Sequence, residues 1–205
     1  MLSTQPADRT LVYGADQGVY VQRSQAKGQP MRAIALDRVS QIHILEESRL
    51  ILVLSDKTLY TYSIDALMAG DTAPKRGRRV SKHVSFFKVG FSIDRTLVCV
   101  VKSSTITSTI RTLEPVATND LKKSKSNFGR LIRGSSEALK IYKDLYIPGE
   151  ATSLHIFRSN ICVGCDRGFE MVNLASMRNQ SKCLLAGRLK AGVVGVFLSF
   201  WPFRF

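Results

Sequence analysis

Apolar and polar positions in RLILVLSDKTLYTYSIDAL (Arg49 to Leu67) follow the pattern of two strands joined by a tight turn. The run LILVL is unbroken and apolar, as expected of a strand packed on both faces. SDK supplies turn residues, and TLYTYSI continues with β-branched, aromatic and small polar residues. Just upstream, VSQIHIL (Val39 to Leu45) alternates apolar and polar positions. The pattern predicts an antiparallel meander of three strands.

Similar units recur along the chain, at His83 to Glu114, at Ala151 to Met177 and, in part, at Thr10 to Arg23. Val39 and Val84, which open two of the units, are about 45 positions apart, and this period is typical of β-propeller blades. A β-sandwich is the alternative, since its strands also recur regularly. The units open with similar residues and have their turns at similar positions, and this favours the propeller over the sandwich. We expect an all-β chain of four-stranded antiparallel sheets, with a short helical turn at most, near Ser135 to Lys140.

Composition supports one folded domain, because 44% of the 205 residues are hydrophobic. The net charge of +14 predicts an acidic partner, such as nucleic acid, anionic lipid or an acidic protein surface. The N-terminus has neither the basic start nor the apolar run of a signal peptide, which predicts a cytosolic chain. Cysteines in the cytosol are rarely paired. We therefore expect free thiols at Cys99, Cys162, Cys165 and Cys183.

Residues that could support catalysis or metal binding are sparse. Cys162 and Cys165 form a CxxC, but no second pair follows at ligand spacing, and positions three apart on a strand face opposite sides. His43, His83 and His155 are scattered, without a nucleophile or carboxylate pattern beside them. GADQG and CDRG lack the context of phosphate-binding loops and are predicted to be hairpin turns. We expect no enzymatic activity, no metal, no cofactor and no small-molecule substrate.

Two basic segments, PKRGRR (Pro74 to Arg79) and LKKSKSNFGRLIRG (Leu121 to Gly134), are predicted to fall between repeat units. The second lengthens the usual spacing by about twenty residues, which indicates an insertion. Their basic side chains could bind phosphates or an acidic partner, although solvated loops would have the same composition. PKRGRR also resembles a nuclear import signal. The candidate partner-binding residues are Lys75, Arg76, Arg78, Arg79, Lys122, Lys123, Lys125, Arg130 and Arg133.

The sequence contains the consecutive segments DKTLYTYSIDAL, KRGRRVSKHVSFFKVG, TLVCVVKSSTITSTIRTLEP, LKIYKDLYIPGEATSLHIF and NICVGCDRGFEMVNL. Together they resemble the citron homology (CNH) domain, particularly that of fungal Rho guanine nucleotide exchange factors. The resemblance implies a seven-bladed β-propeller that serves as a protein-interaction and regulatory module in Rho GTPase signalling. In that family, nucleotide exchange belongs to a Dbl-homology domain followed by a pleckstrin-homology domain. Met1 to Ala7 could hold neither, so no exchange activity is expected of this chain.

The resemblance covers about Arg9 to Met177, which predicts a partial CNH propeller of about four blades over residues 9–177. Residues 178–205 form a predicted atypical tail outside the family pattern, because Lys182 to Phe205 has neither the repeat nor its turn residues. A membrane-interface anchor is an alternative for the tail, given Trp201 and the phenylalanines around it. About four blades would leave a sheet edge and an apolar face open, so the isolated chain is expected to self-associate.

Two functional hypotheses follow. The first is a non-catalytic interaction module in the cytoplasm or at the cell cortex, which binds proteins such as a Rho-type GTPase or its regulators. The second is an anionic lipid- or nucleic-acid-binding module that acts through the basic loops. Nucleic acid is the less favoured ligand, because the basic runs lack the interleaved aromatic residues of single-strand binders.

Overall fold

A computed structural model describes residues 10–23, 29–68, 77–92, 94–116, 138–166, 168–175 and 179–180. These residues form fifteen β-strands and one short helix, α1 (Ile64–Met68). The first sheet contains β1 (Thr10–Ala15), β2 (Gly18–Arg23) and β3 (Met31–Ala35), and the second contains β4 (Val39–Leu45), β5 (Leu50–Ser55), β6 (Thr58–Ser63) and β7 (Arg78–Lys82). The third contains β8 (Phe86–Ser92), β9 (Arg95–Ser103), β10 (Thr107–Pro115) and β11 (Leu139–Pro148), and the fourth contains β12 (Ala151–Phe157), β13 (Asn160–Cys165), β14 (Gly168–Asn173) and β15 (Asn179–Gln180).

Each sheet is an antiparallel meander in which strands consecutive along the chain are hydrogen-bonded neighbours. The first strands of adjacent sheets contact one another, β4 with β8 and β8 with β12. These strands therefore lie on the inner side of the array, and β3, β7 and β11 lie on the outer side. Separate meanders arranged in this way confirm the predicted β-propeller architecture, with four sheets corresponding to about four blades.

Tight turns connect the two strands of each hairpin at the positions that the sequence predicts. Asp56 and Lys57 have φ values of 44° and 57°, the left-handed pair that a two-residue type I′ turn requires. GADQG and CDRG occupy the same place in the first and fourth sheets. Their final residues, Gly18 and Gly168, have φ values of 143° and 134°, which favour glycine. The hairpin-turn prediction for both segments is confirmed.

A recurring backbone hydrogen bond shows which strands are equivalent. In the first three sheets, the segment that leaves the outermost strand donates an N–H to the carbonyl of a hairpin turn. The bonds are Arg38 to Asp16, Val84 to Lys57 and Gly149 to Ile106, each 2.8 Å long. Because the three bonds are equivalent, the strands that precede the three acceptor turns are equivalent too. β1 therefore corresponds to β5 and β9, each of which is the second strand of its sheet. Among the described residues, the first sheet consequently has no strand in the innermost position.

The core consists of three apolar layers, one between each pair of adjacent sheets. Successive residues of β5 belong to two different layers: Ile51 packs toward the first sheet, whereas Leu52 packs toward the third. β9 does the same, since Cys99 and Val98 belong to different layers. Packing on both faces explains why the central strands have unbroken apolar runs rather than alternating ones.

Two sequence-based expectations are wrong in detail. The described part of the region proposed as a helical turn opens strand β11 at Leu139, while Ser135 lies outside the described residues. The short helix is instead at Ile64–Met68, where the hydroxyl of Ser63 accepts a hydrogen bond from the N–H of Ala66, as in an N-cap.

The basic segments also do not separate sheets. Each belongs to the connection between the third and fourth strands of one sheet, and PKRGRR runs into β7.

Candidate functional site

The predicted partner-binding residues are only partly within the described chain. Arg78 and Arg79 lie on β7, the outermost strand of the second sheet, where Arg79 is exposed and Arg78 is half-buried. The remaining candidates lie outside the described residues: Lys75, Arg76, Lys122, Lys123, Lys125, Arg130 and Arg133. The structure thus places two of the predicted basic side chains on an ordered outer strand rather than in a loop.

The outer strands β3, β7 and β11 are strongly basic. They carry six basic residues and one acidic residue, Asp144. The carboxylate of Asp144 is already occupied, because the guanidinium of Arg111 on β10 donates to both of its oxygens, at 2.9 and 2.8 Å. The six basic residues, called the basic rim below, are Arg32, Arg78, Arg79, Lys82, Lys140 and Lys143. Outer strands with this excess of positive charge attract acidic surfaces.

Strand β11 adds exposed apolar and aromatic side chains to the basic rim. Ile141 is 53% exposed and Tyr146 is 58% exposed. Between them, the ring of Tyr142 lies 5.3 Å from the guanidinium of Arg95 and 5.2 Å from the ammonium of Lys143, which are cation–π distances. Aromatic and basic residues side by side are common where proteins bind one another.

The two basic segments are anchored at equivalent places in neighbouring sheets. The first begins after α1 and ends in β7, and the second connects β10 (ending at Pro115) with β11 (beginning at Leu139). Both therefore join the third strand to the outermost strand. Their attachment points lie next to the basic rim.

Among the residues that the structure describes, those considered for metal binding or catalysis do not assemble into a site. Cys162 and Cys165 both lie on β13 and face opposite sides of it, as predicted. Within the described chain, no three residues among His, Cys, Asp and Glu are grouped to hold a metal ion. Cys99, Cys162 and Cys165 are free thiols, and Cys183 lies outside the described residues. Burial raises the pKa of the Cys99 thiol to about 12, so this thiol is unreactive at neutral pH.

No helix in the described ranges is long and apolar enough to cross a bilayer.

Sequence reasoning missed Ile141 and Tyr146 as surface residues. The segment LKIYKDLYIP does not alternate regularly between polar and apolar residues, so its pattern did not distinguish the exposed positions of this outer strand from the buried ones.

Comparison with known proteins identifies the family. The described sheets define a β-propeller whose outer strands are basic and partly apolar. The family model for the CNH domain matches residues 7–197, and the chain belongs to the CNH domain family. The solved structure "AfRom2 CNH domain" superposes with a TM-score of 0.71 and 37% sequence identity, covering 88% of this chain and 53% of that chain.

Curated relatives are fungal exchange factors. The chain is 42% identical over 178 residues to "Rho1 guanine nucleotide exchange factor 1" of Schizosaccharomyces pombe, covering 84% of this chain and 13% of the relative. It is 34% identical over 180 residues to "Rho1 guanine nucleotide exchange factor 2" of the same yeast, covering 85% of this chain and 15% of the relative. The chain thus spans about one seventh of the length of these relatives. The division into a domain at 9–177 and a tail at 178–205 stays a prediction.

Proposed function

We propose that the chain is a non-catalytic protein-interaction module of a Rho guanine nucleotide exchange factor and acts in small GTPase signalling. The family membership and the similarity to two Rho1 exchange factors support this role. The observation that carries the proposal is the basic rim, in which six basic residues and one paired carboxylate stand on the outer strands. Exposed Ile141 and Tyr146 on the same outer strands provide apolar contact area.

The partner is an acidic protein surface, either on a Rho-type GTPase or on a regulator of one. Positive charge on the basic rim would steer such a partner into contact, and the apolar side chains of β11 would be buried in the complex. Nucleotide exchange is left to other domains of an exchange factor, because the part of the relatives that this chain matches is the CNH domain. The cytoplasm and the cell cortex are the locations that this role requires.

Charge reversal on one strand tests the proposal. Arg79→Glu combined with Lys82→Glu changes two exposed side chains of β7. The matched control, Lys57→Glu with Arg158→Glu, makes the same change in net charge at exposed positions in hairpin turns. We expect the β7 variant to weaken binding of a Rho-type GTPase or its acidic regulator about tenfold or more, and the control to change it little. Equal loss in both variants would show general attraction to net charge and would contradict a specific surface.

A second candidate function is anionic lipid binding through the basic segments. The observation that favours it is that the described strands flanking the two segments lie at equivalent places of neighbouring sheets and belong to or adjoin the basic rim. The two functions differ in salt dependence, because phosphate binding weakens steeply with added salt and a packed protein interface weakens less. Co-sedimentation with vesicles of phosphatidylserine and phosphatidylcholine, measured across salt concentrations, tests this candidate. Equal binding to vesicles that contain only phosphatidylcholine would contradict this candidate.

A further inference from the structure

Strand β11 is the longest described strand, and it lies at the outer edge of the third sheet, where β10 is its only described partner. Two hydrogen bonds show which of its backbone groups face β10. The N–H of Lys143 donates to Oγ1 of Thr112 over 2.9 Å, and the N–H of Gly149, just after β11, donates over 2.8 Å to a carbonyl in the turn before β10. Because backbone groups alternate in direction along a strand, those of Asp144 and Tyr146 point to the outer edge.

A β-bulge divides the side chains of β11 into a basic set and an apolar set. The register against β10 shifts at Tyr142, which has no residue opposite it. The residues of β10 opposite Ile141 and Tyr146 share one face of that strand, and those opposite Lys140 and Lys143 share the other. The outer edge of β11 is therefore flanked by exposed apolar side chains on one face and by lysines on the other.

We propose that the outer edge of β11 binds an extended segment of a partner protein as a fifth strand of the third sheet, and that this segment alternates acidic and apolar residues. The N–H and C=O groups of Asp144 and Tyr146 bond to the added strand. Its acidic residues lie beside Lys140 and Lys143, and its apolar residues lie beside Ile141 and Tyr146. This inference rests on the proposed function, because it specifies how an acidic partner binds.

Charge complementarity selects this occupant over a second copy of the chain. Pairing of two β11 strands would bring the lysines of both copies together, and lysines and bulges on an edge strand are features that prevent such pairing. An acidic segment replaces this repulsion with attraction. Asp144, the acidic residue of the strand, is already bonded to Arg111 and so opposes an acidic segment only weakly.

A synthetic peptide tests strand addition in the full chain. The probe is a short, acetylated and amidated peptide that alternates valine and glutamate, and the control peptide has the same residues in two separate blocks. In hydrogen exchange followed by NMR, saturation with the alternating peptide should slow exchange of the amides of Asp144 and Tyr146 about tenfold or more, because each amide gains a hydrogen-bond partner. The block peptide should protect neither amide.

Variants of the chain separate backbone bonding from charge. Tyr146→Pro removes one outward N–H and should weaken binding of the alternating peptide about tenfold, whereas Tyr146→Leu keeps that N–H and should bind like the original chain. Lys140→Glu should weaken binding about tenfold through its charge, and Lys57→Glu in a hairpin turn should change it little. Unchanged exchange of the Asp144 and Tyr146 amides, or equal binding of the two peptides, would overturn the proposal.

The outcomes for this inference differ from those for the proposed function. Amide protection by the alternating peptide, without binding of a Rho-type GTPase or its regulators, would support strand addition at β11 and contradict the proposed partner. Partner binding that the Arg79→Glu, Lys82→Glu variant weakens, without amide protection by the peptide, would support the proposed function and overturn strand addition.

Discussion

Gly90 on β8 lies directly against Ile156 on β12, and a Cβ added at position 90 would meet the Cβ of Ile156 at 2.9 Å. This contact joins the inner strands of the third and fourth sheets. Gly90→Val should destabilise the protein by about 1–3 kcal/mol, because the added side chain overpacks the contact. Urea denaturation measures the loss. Adding Ile156→Ala to the same chain should restore part of the stability, and additive losses in the double variant would contradict direct packing.

Ser108 connects strand β10 with the segment that leads from the third sheet to the fourth. Its buried hydroxyl donates to the carbonyl of Gly149 and accepts from the N–H of Ala151, both at 2.8 Å. Ser108→Ala leaves these two buried backbone groups without the hydroxyl and should cost about 1–3 kcal/mol in unfolding free energy. Ser81→Ala, whose hydroxyl makes only a 3.5 Å contact with a carbonyl, is the control and should cost much less. If thermal unfolding showed similar losses of stability for Ser108→Ala and Ser81→Ala, the proposed role of the Ser108 hydroxyl would be contradicted.

The Arg111–Asp144 pair predicts a small pH dependence of stability. The hydrogen bonds from Arg111 lower the pKa of Asp144 in the folded protein. A carboxyl with a lowered folded pKa contributes stability that is present above its unfolded pKa, about 3.9, and lost as the pH falls through the folded value. The side chains of Arg111 and Asp144 are 46% and 55% exposed, so the contribution at neutral pH is only about 0.2–1 kcal/mol.

Asp144→Asn should therefore be slightly less stable than the original chain at pH 7, and the difference should shrink as the pH falls below about 4 and vanish once Asp144 is protonated in the folded protein. Denaturation at a series of pH values measures it. Asp37→Asn removes an exposed carboxylate that has no salt bridge among the described residues, and it should show no comparable difference at pH 7. A stability difference for Asp144→Asn that grows as the pH falls below about 4 would contradict the assignment.

The 205-residue polypeptide, studied alone, should self-associate. The side of the fourth sheet turned away from the third presents Phe157 and Phe169, which are 45% and 41% exposed. At the other end of the array, Tyr13 and Tyr20 stack at 5.5 Å on the side of the first sheet turned away from the second. Apolar faces of this kind associate with other chains. Sedimentation velocity should show species larger than a monomer, and deleting Lys182 to Phe205 should reduce association only in part. A monodisperse monomer with cooperative unfolding would contradict this prediction.

The inner and central strands could be predicted from the sequence because they are buried on at least one face. Unbroken runs such as LILVL and TLVCVV, followed by turn residues, mark β5 and β9 directly. The outermost strands were not located. β7 is RRVSK, with two exposed basic residues and pairing on one side only, so its composition is that of a loop. For this reason the basic segments were predicted to fall between units, whereas each belongs to the connection between the third and fourth strands of one sheet.

The surface could be predicted less completely than the fold. Arg78 and Arg79 were expected as binding residues from charge alone, and the structure places them on the basic rim. The hydrogen bond from the N–H of Phe87 to the side chain of Gln41 could not be predicted, because these residues belong to different sheets and meet only through the packing of β4 against β8. No local pattern in either strand contains that information.

Nucleotide release from a Rho-type GTPase tests the central claim most directly. The GTPase, loaded with a fluorescent nucleotide, is mixed with this chain at concentrations that saturate binding, and release is followed beside a separate measurement of binding. A non-catalytic interaction module predicts binding that the Arg79→Glu, Lys82→Glu variant weakens, with a release rate equal to that of the GTPase alone. Catalytic acceleration of release by the chain, or the absence of binding to both the GTPase and its acidic regulators, would contradict the account.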